Sequence, residues 1–250
     1  MFDNPLLDSV PAELLQGRVN TLDFVKGDVF AEPDSPIERL VFPRSGLLSV
    51  VVDLTDGSQI EAAMIGPGGA LGAAAMFGAK QHVSTVLAQL SGRAWTLALP
   101  DALEIADKAP EFRAAMLAQE RYLLAQAQQT AACNARHSTM QRLCSWLLRA
   151  RDEAGRDELL MTQELLARML GVQRASVSML ASQLQEKQLV QYRRGRVQIV
   201  DAAGLAALAC ECRTAVQTQR ERLFGHSQVA NKDTSEDGAE GPRTSPRPEN

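Results

Sequence analysis

The sequence predicts an α+β protein, with an all-β barrel or roll first and a helical part after it that ends in a helix-turn-helix with a β-hairpin at its side. Three observations carry this. Short apolar or alternating runs separated by turn residues fill the stretch from about Thr21 to Leu99, the pattern of many short strands. From Glu111 to His137 there is neither Gly nor Pro, so nothing interrupts a long helix. Between Thr162 and Val200 a capping Thr, a Gly turn, an apolar stripe and a basic hairpin follow one another.

The β-rich part reads through Val29-Phe30, Arg39 to Phe42, Leu47 to Leu54, Gln59 to Ile65, Ser84 to Leu90 and Ala94 to Leu99. Turns fall at Lys26-Gly27-Asp28, Pro33-Asp34, Ser45-Gly46 and Asp56-Gly57; the last is a hairpin signal because Gly accepts positive φ. After Pro100, Asp101 is placed to cap a short helix and Pro110 to open a longer one. On that longer helix Phe112, Met116, Leu123 and Ala127 have the spacing of a packing seam, which a second copy of the chain could share. Ser138 with Gln141 three residues on forms a capping box, and the helix it starts turns Leu143, Trp146, Leu147 and Ala150 inward and stops near Gly155.

In the next segment Thr162 caps a helix whose inner face is Leu165, Leu166, Met169 and Leu170, with Gly171 supplying a left-handed turn. The helix after it buries Val177, Leu180, Ala181 and Leu184 and leaves Gln173, Arg174, Ala175, Ser178, Met179, Ser182 and Gln183 outside. Leu189 to Tyr192 and Val197 to Val200 flank the turn Arg193-Arg194-Gly195-Arg196, a hairpin with a basic tip. A polar helix face fits the major groove, and arginines on an adjacent hairpin can neutralise phosphates. An ordinary helical hairpin with a solvated basic turn is the competing reading.

Charge follows this division. The chain has 250 residues, 45% of them apolar, and a net charge of −4, enough for one or two ordinary cores. Residues 1–110 carry net −7, 111–226 net +5 and 227–250 net −2. The small total therefore conceals a basic half. The tail 227–250 has almost no apolar residue and is expected to be disordered. Asp3, Asp8 and Glu13 argue against a signal peptide, and six Gly and Pro residues between Gly66 and Gly78 break up the longest uncharged stretch, Ala62 to Ala79. No membrane partner is expected. Cys133, Cys144, Cys210 and Cys212 are late and irregularly spaced, which suits reduced thiols in the cytoplasm.

With Gly27-Asp28, Ser45-Gly46, Asp56-Gly57, Gly66-Pro67-Gly68, Leu71-Gly72 and the run Thr162 to Val200 in this order, the chain resembles the Crp/Fnr superfamily of bacterial transcription regulators over about residues 8–212. The resemblance implies a double-stranded, jelly-roll-like β-roll of the cyclic-nucleotide-binding type over 1–110, a dimerisation helix over 111–137 and a winged helix-turn-helix over 138–226. It implies no enzyme: the partners expected are double-stranded DNA, a second copy of the chain and RNA polymerase. The DNA-contacting set is Thr162, Gln173, Arg174, Ala175, Ser176, Ser178, Met179, Gln183, Arg193, Arg194 and Arg196. Ala175 and Met179 stand where the family often has an acid and a second Arg, so the family's usual half-site is not expected.

The same resemblance locates an effector pocket at Gly69, Ala70, Leu71, Gly72, His82, Ser84 and Thr85. Members that bind cyclic AMP have a Glu for the ribose at the position of Ala70 and an Arg for the phosphate near that of His82. Without both, the charge-assisted bonds to such a ligand are missing, and cyclic AMP is disfavoured. An iron-sulfur sensor is disfavoured too, since no cysteine precedes Cys133. Haem stays open through His82 with Met64 or Met76. Cys133 and His137, four apart on one helix face, are candidates for a redox role, against the plainer reading of a buried small residue and an interhelix hydrogen bond. Cys210 and Cys212, read as lying on one short helix, would diverge by roughly 200°, so no metal site is assigned. The function expected is an effector-controlled, homodimeric regulator of transcription; the alternatives are an effector-independent DNA-binding scaffold and a haem- or thiol-based sensor of the same fold.

Overall fold

A computed structural model describes residues 2–225. The expected disordered tail therefore lies outside the described residues. After a one-turn helix α1 (Ala12–Leu15) come β1 (Val19–Phe24), β2 (Val29–Ala31), β3 (Arg39–Pro43), β4 (Leu47–Asp53), β5 (Gln59–Ile65), β6 (Thr85–Leu90) and β7 (Gly92–Ala98). They form two antiparallel sheets, one in the order β1-β7-β3 and the other β2-β6-β4-β5. Phe24, Val41 and Ala94 from the first meet Leu48, Ile65, Val86 and Ala88 from the second, so the core lies between two facing layers.

Two helices follow, α2 (Leu99–Lys108) and α3 (Pro110–Arg136). Asp101 lies in the first turn of α2 and does not cap it: the helix starts two residues earlier, with Ala98 at the cap and no side-chain hydrogen bond there. Its acidic charge still suits that end of the helix dipole. On α3 the buried residues are Phe112, Met116, Gln119, Tyr122, Gln126 and Cys133. Phe112 and Met116 of the expected packing seam are buried in the chain's own core beside Leu6, Leu40 and Ile105. The large apolar side chains that α3 leaves exposed are Leu117 and Leu124, seven residues apart.

The rest comprises α4 (Thr139–Ala154), β8 (Glu158–Leu159), α5 (Gln163–Leu170), α6 (Arg174–Glu186), β9 (Val190–Arg193), β10 (Arg196–Ile199), α7 (Ala202–Leu208) and α8 (Cys212–Phe224). The Ser138–Gln141 capping box forms, and Gly155 closes α4 with φ 63°. The order β8-β10-β9 gives the hairpin a third strand. The short helix expected around Cys210 and Cys212 is longer and starts at Cys212; as α8 it packs along α3, where Tyr122 and Phe224 meet edge to face with ring centroids 5.9 Å apart. Arg220 Nη1 on α8 lies 3.1 Å from Glu153 Oε1 of α4, and its Nη2 donates to the Pro67 carbonyl at 3.2 Å. Among the described residues no helix is long and apolar enough to cross a membrane.

One hydrophobic cluster joins the two parts: Leu47, Val51, Met64 and Leu90 of the roll pack with Trp146, Leu166, Leu170 and Leu184 of the helical part. Within this joint Glu61 is buried; it accepts from Trp146 Nε1 at 2.8 Å and from Ser49 Oγ at 2.5 Å. Burial raises its carboxyl to about pKa 7, although Arg149, Ser49 and Trp146 all pull it down.

Candidate nucleic-acid interface and effector cleft

Thr162 Oγ1 accepts from the Leu165 amide at 3.2 Å and so starts α5. Leu166, Met169 and Leu170 are buried as the inner face, while Leu165 is half-buried. At Gly171, φ is 62°, and an added Cβ would come within 3.0 Å of Ile60 of the roll. The turn therefore favours a residue that is both conformationally permissive and small. Helix α6 then buries Val177, Leu180, Ala181 and Leu184. That burial fixes the opposite face outward: Gln173, Arg174, Ala175, Met179 and Gln183 are exposed, and Ser176 and Ser178 are half-buried.

Ser178 is less free than its sequence position suggests, since its hydroxyl donates to Gln163 Oε1 on α5 at 2.7 Å. On the wing, Arg194 (φ 41°) and Gly195 (φ 79°) form the two-residue turn with both φ positive, the geometry suited to a twisted hairpin. Arg193 and Arg194 are exposed. Arg196, expected as a third free cation, is 2.9 Å from Glu158 on β8, so its charge is partly met within the protein. Gln163 and Gln185 were missed by the sequence reading: Gln163 holds Ser178, and Gln185 Oε1 accepts from the Tyr192 amide at 2.9 Å, tying α6 to the wing. Only the position of Gln163, beside the capping Thr, hints at this.

The residues expected to form an effector pocket are not gathered around one space. Ala70 is fully buried in the cluster around Phe112, and its carbonyl accepts from Gln119 Nε2 at 3.1 Å. Leu71 pairs with Val41 and belongs to the core between the sheets. Gly69 turns back to Gly66, and a Cβ on Gly72 would press on the Arg39 carbonyl at 2.9 Å. His82 and Ser84 stand on the loop bonded to Asp34 and Ser35, and burial lowers the His82 pKa. Thr85 donates to Asp53. Nor do the haem candidates converge: Met64 is in the cluster around Trp146 and Met76 in that around Phe112.

An open cleft of roughly 770 Å³ lies elsewhere, between roll and helix-turn-helix, lined by Lys26, Asp53, Thr85, Gln89, Leu165 and Arg168 among others. Of the expected residues only Thr85 reaches it. The buried Gln89 amide has no hydrogen-bond partner among the described residues, and Lys26 Nζ crosses the cleft's edge to the Leu160 carbonyl at 2.9 Å.

Residues 21–109 match the model of the cyclic nucleotide-binding domain, and residues 141–208 that of the Crp-like helix-turn-helix domain. Among solved structures, the chain is similar to FixK2 from Bradyrhizobium japonicum, with 17% identity, a TM-score of 0.66 and coverage of 77% of this chain and 98% of that one. A transcriptional regulator of the Crp/Fnr family from Eubacterium rectale gives 20% identity, 0.65, 82% and 97%. CLP from Xanthomonas campestris, described as a c-di-GMP-responsive global regulator, gives 16%, 0.62, 75% and 97%. None of the curated proteins matches the chain significantly. Two family models in this order, on a β-roll, a long helix and a winged helix-turn-helix, identify the chain as a member of the Crp/Fnr superfamily of DNA-binding, non-enzymatic transcription regulators.

Proposed function

We propose that the chain works as a homodimer that reads DNA sequence with the exposed face of α6 and grips phosphates with the wing, in the cytoplasm and under the control of an effector other than cyclic AMP. The observation that carries the reading is the division of α6 into a buried apolar stripe and an outer face with Arg174 at its N-terminal end. A guanidinium there can pair with a guanine edge, and Met179, 57% exposed, offers an apolar contact for a thymine methyl. Arg193 and Arg194 would neutralise phosphates without reading sequence. Leu117 and Leu124 on α3 supply the apolar stripe for a second copy, in place of Phe112 and Met116. Domain limits at 110, 137 and 226 fit this division of labour, and RNA polymerase is the further partner it implies.

Against cyclic AMP stand a fully buried Ala70 whose carbonyl is already bonded and a His82 whose pKa burial lowers, which disfavours a cation for the phosphate. An effector would act by favouring one arrangement of roll and winged part over another, which changes how two recognition helices are spaced. Thermal shift with cyclic AMP and c-di-GMP tests the ligand side: a ligand of the native state raises the melting temperature. No shift is expected with cyclic AMP at saturating concentration. A clear upward shift would overturn that part of the proposal.

A further inference from the structure

The C-terminal end of α3 and the junction between α7 and α8 close on a cluster that DNA reading does not use. Cys133 lies in the last turn of α3, and His137, the extended residue that ends the helix, donates its amide to the Cys133 carbonyl at 3.0 Å. Cys210 lies on the junction and Cys212 opens α8, so the two are not on one helix and do not diverge as the sequence reading expected. All three sulfurs and a ring nitrogen of His137 lie within 4.8 Å of one another. Cys133 Sγ is 3.5 Å from Cys210 Sγ, and Cys212 Sγ is 3.4 Å from His137 Nδ1. All are free thiols.

Four ligand atoms this close outline the coordination sphere of a single ion. Bonds of about 2.3 Å to sulfur and 2.0–2.1 Å to nitrogen put tetrahedral ligand atoms roughly 3.6–3.8 Å apart. The shortest separations here already allow that, and the longest would have to close by about 1 Å. An iron-sulfur cluster, with several iron and sulfide atoms of its own, needs a wider cage.

The surroundings are those of a ligand set. Glu211 Oε1 is 3.3 Å from His137 Nε2 and Cys212 Sγ 3.4 Å from Nδ1, so a carboxylate stands where it can hold the imidazole with Nδ1 free for an ion. Gln129 Nε2 donates to Cys212 Sγ at 3.1 Å, and the Ser145 hydroxyl is 3.0 Å from Cys210 Sγ. Three thiolates and a neutral imidazole on a dication leave one negative charge. Arg142 and Arg149 line the small cavity, about 40 Å³, that Cys133 and Cys212 also line, and the buried Arg142 Nε has no hydrogen-bond partner among the described residues.

We propose that Cys133, His137, Cys210 and Cys212 form a Cys3His site for a thiophilic divalent cation, with Zn2+ as its natural occupant. The ion binds as the three thiols give up their protons, about three per ion at neutral pH; no oxidant or reductant takes part. Bound there, it fastens the proposed dimer helix to α8 and, through Ser145, to α4, at the point where the winged part joins the rest. Only this consequence rests on the regulator reading; the site itself does not.

The test uses the full chain, reduced and stripped of metal, titrated with Co2+ in the absence of DNA. One ion per chain is expected, with intense thiolate-to-cobalt charge-transfer bands, visible bands of tetrahedral strength, and displacement of both by Zn2+. Cys212→Ser and His137→Ala should each weaken binding at least tenfold, and Cys144→Ala, outside the cluster, should leave it unchanged. Should a ligand variant fail to fold, Glu211→Gln, at an exposed position, is expected to weaken binding several-fold with an unchanged circular dichroism spectrum. A weak octahedral spectrum, affinity unaltered by the ligand variants, or a reduced chain that takes up no ion and, once exposed to air, only forms a Cys133–Cys210 disulfide would each overturn the proposal.

Discussion

In the winged part the residues that would touch a ligand stand outside a packed frame, whereas in the roll two of those expected to line an effector pocket are part of it. Arg174, Met179 and Arg194 are exposed around a buried stripe; Ala70 and Leu71 are themselves part of two cores. The helix-turn-helix has kept a reading surface. The roll offers no such surface at Ala70 and Leu71. What distinguishes this chain on the input side lies at the seams between the parts: the Glu61 joint, the open cleft beside it and the thiol cluster at the start of α8.

The comparison can be broken first at the frame. Leu184, fully buried in the cluster that supports α6, should cost about 2–5 kcal/mol when cut to Ala, read by denaturant unfolding, with loss of DNA binding. A cost under about 1 kcal/mol would mean that α6 is not anchored by this stripe.

Next comes the joint. The folded Glu61 carboxyl titrates near 7 and the ordinary value is 4.5, so between these values the folded state holds a proton that the unfolded state has lost. Its contribution is full below about pH 4.5, falls as pH rises through 7, and the total loss is about 3 kcal/mol. Glu61→Gln keeps an acceptor for Trp146 and should flatten that fall, making the variant the more stable protein at pH 8. Parallel pH profiles for both proteins would contradict the burial argument.

At the reading surface, Arg174→Ala should cost about 1–3 kcal/mol on the selected site and little on random DNA. Arg194→Ala should weaken both alike and lower the salt slope. Competition binding at several salt concentrations separates the two. The smallest effect is expected at the cap: Thr162→Ala removes one bond to the Leu165 amide and should cost about 1 kcal/mol, seen as a lower unfolding midpoint.

Much of this was legible because it obeys local rules. The capping box at Ser138, the stop at Gly155, the Thr162 cap, the Gly171 turn and the stripe of α6 are each set by residues within a few positions of one another. What escaped depends on distant closure. Nothing near Phe112 says that Leu6 and Leu40 will cover it, so the sequence alone left open whether the seam on α3 meets the chain's own core or a second copy. Cys210 comes to Cys133 across 77 positions, and their meeting depends on a helix break that the sequence around Ala209 announces only weakly. The same distant closure makes Ala70 and Leu71 part of two cores, which nothing in their immediate neighbours announces.

The central claim is that two copies of this chain read DNA with α6. Selection of bound fragments from genomic DNA by the purified full chain, followed by footprinting of the enriched site, tests it most directly. The account predicts two related half-sites centred about one helical turn apart, roughly 34–36 Å, protected together, with Arg174→Ala abolishing the enrichment. Protection of a single half-site, or fragments with no shared sequence, would contradict it.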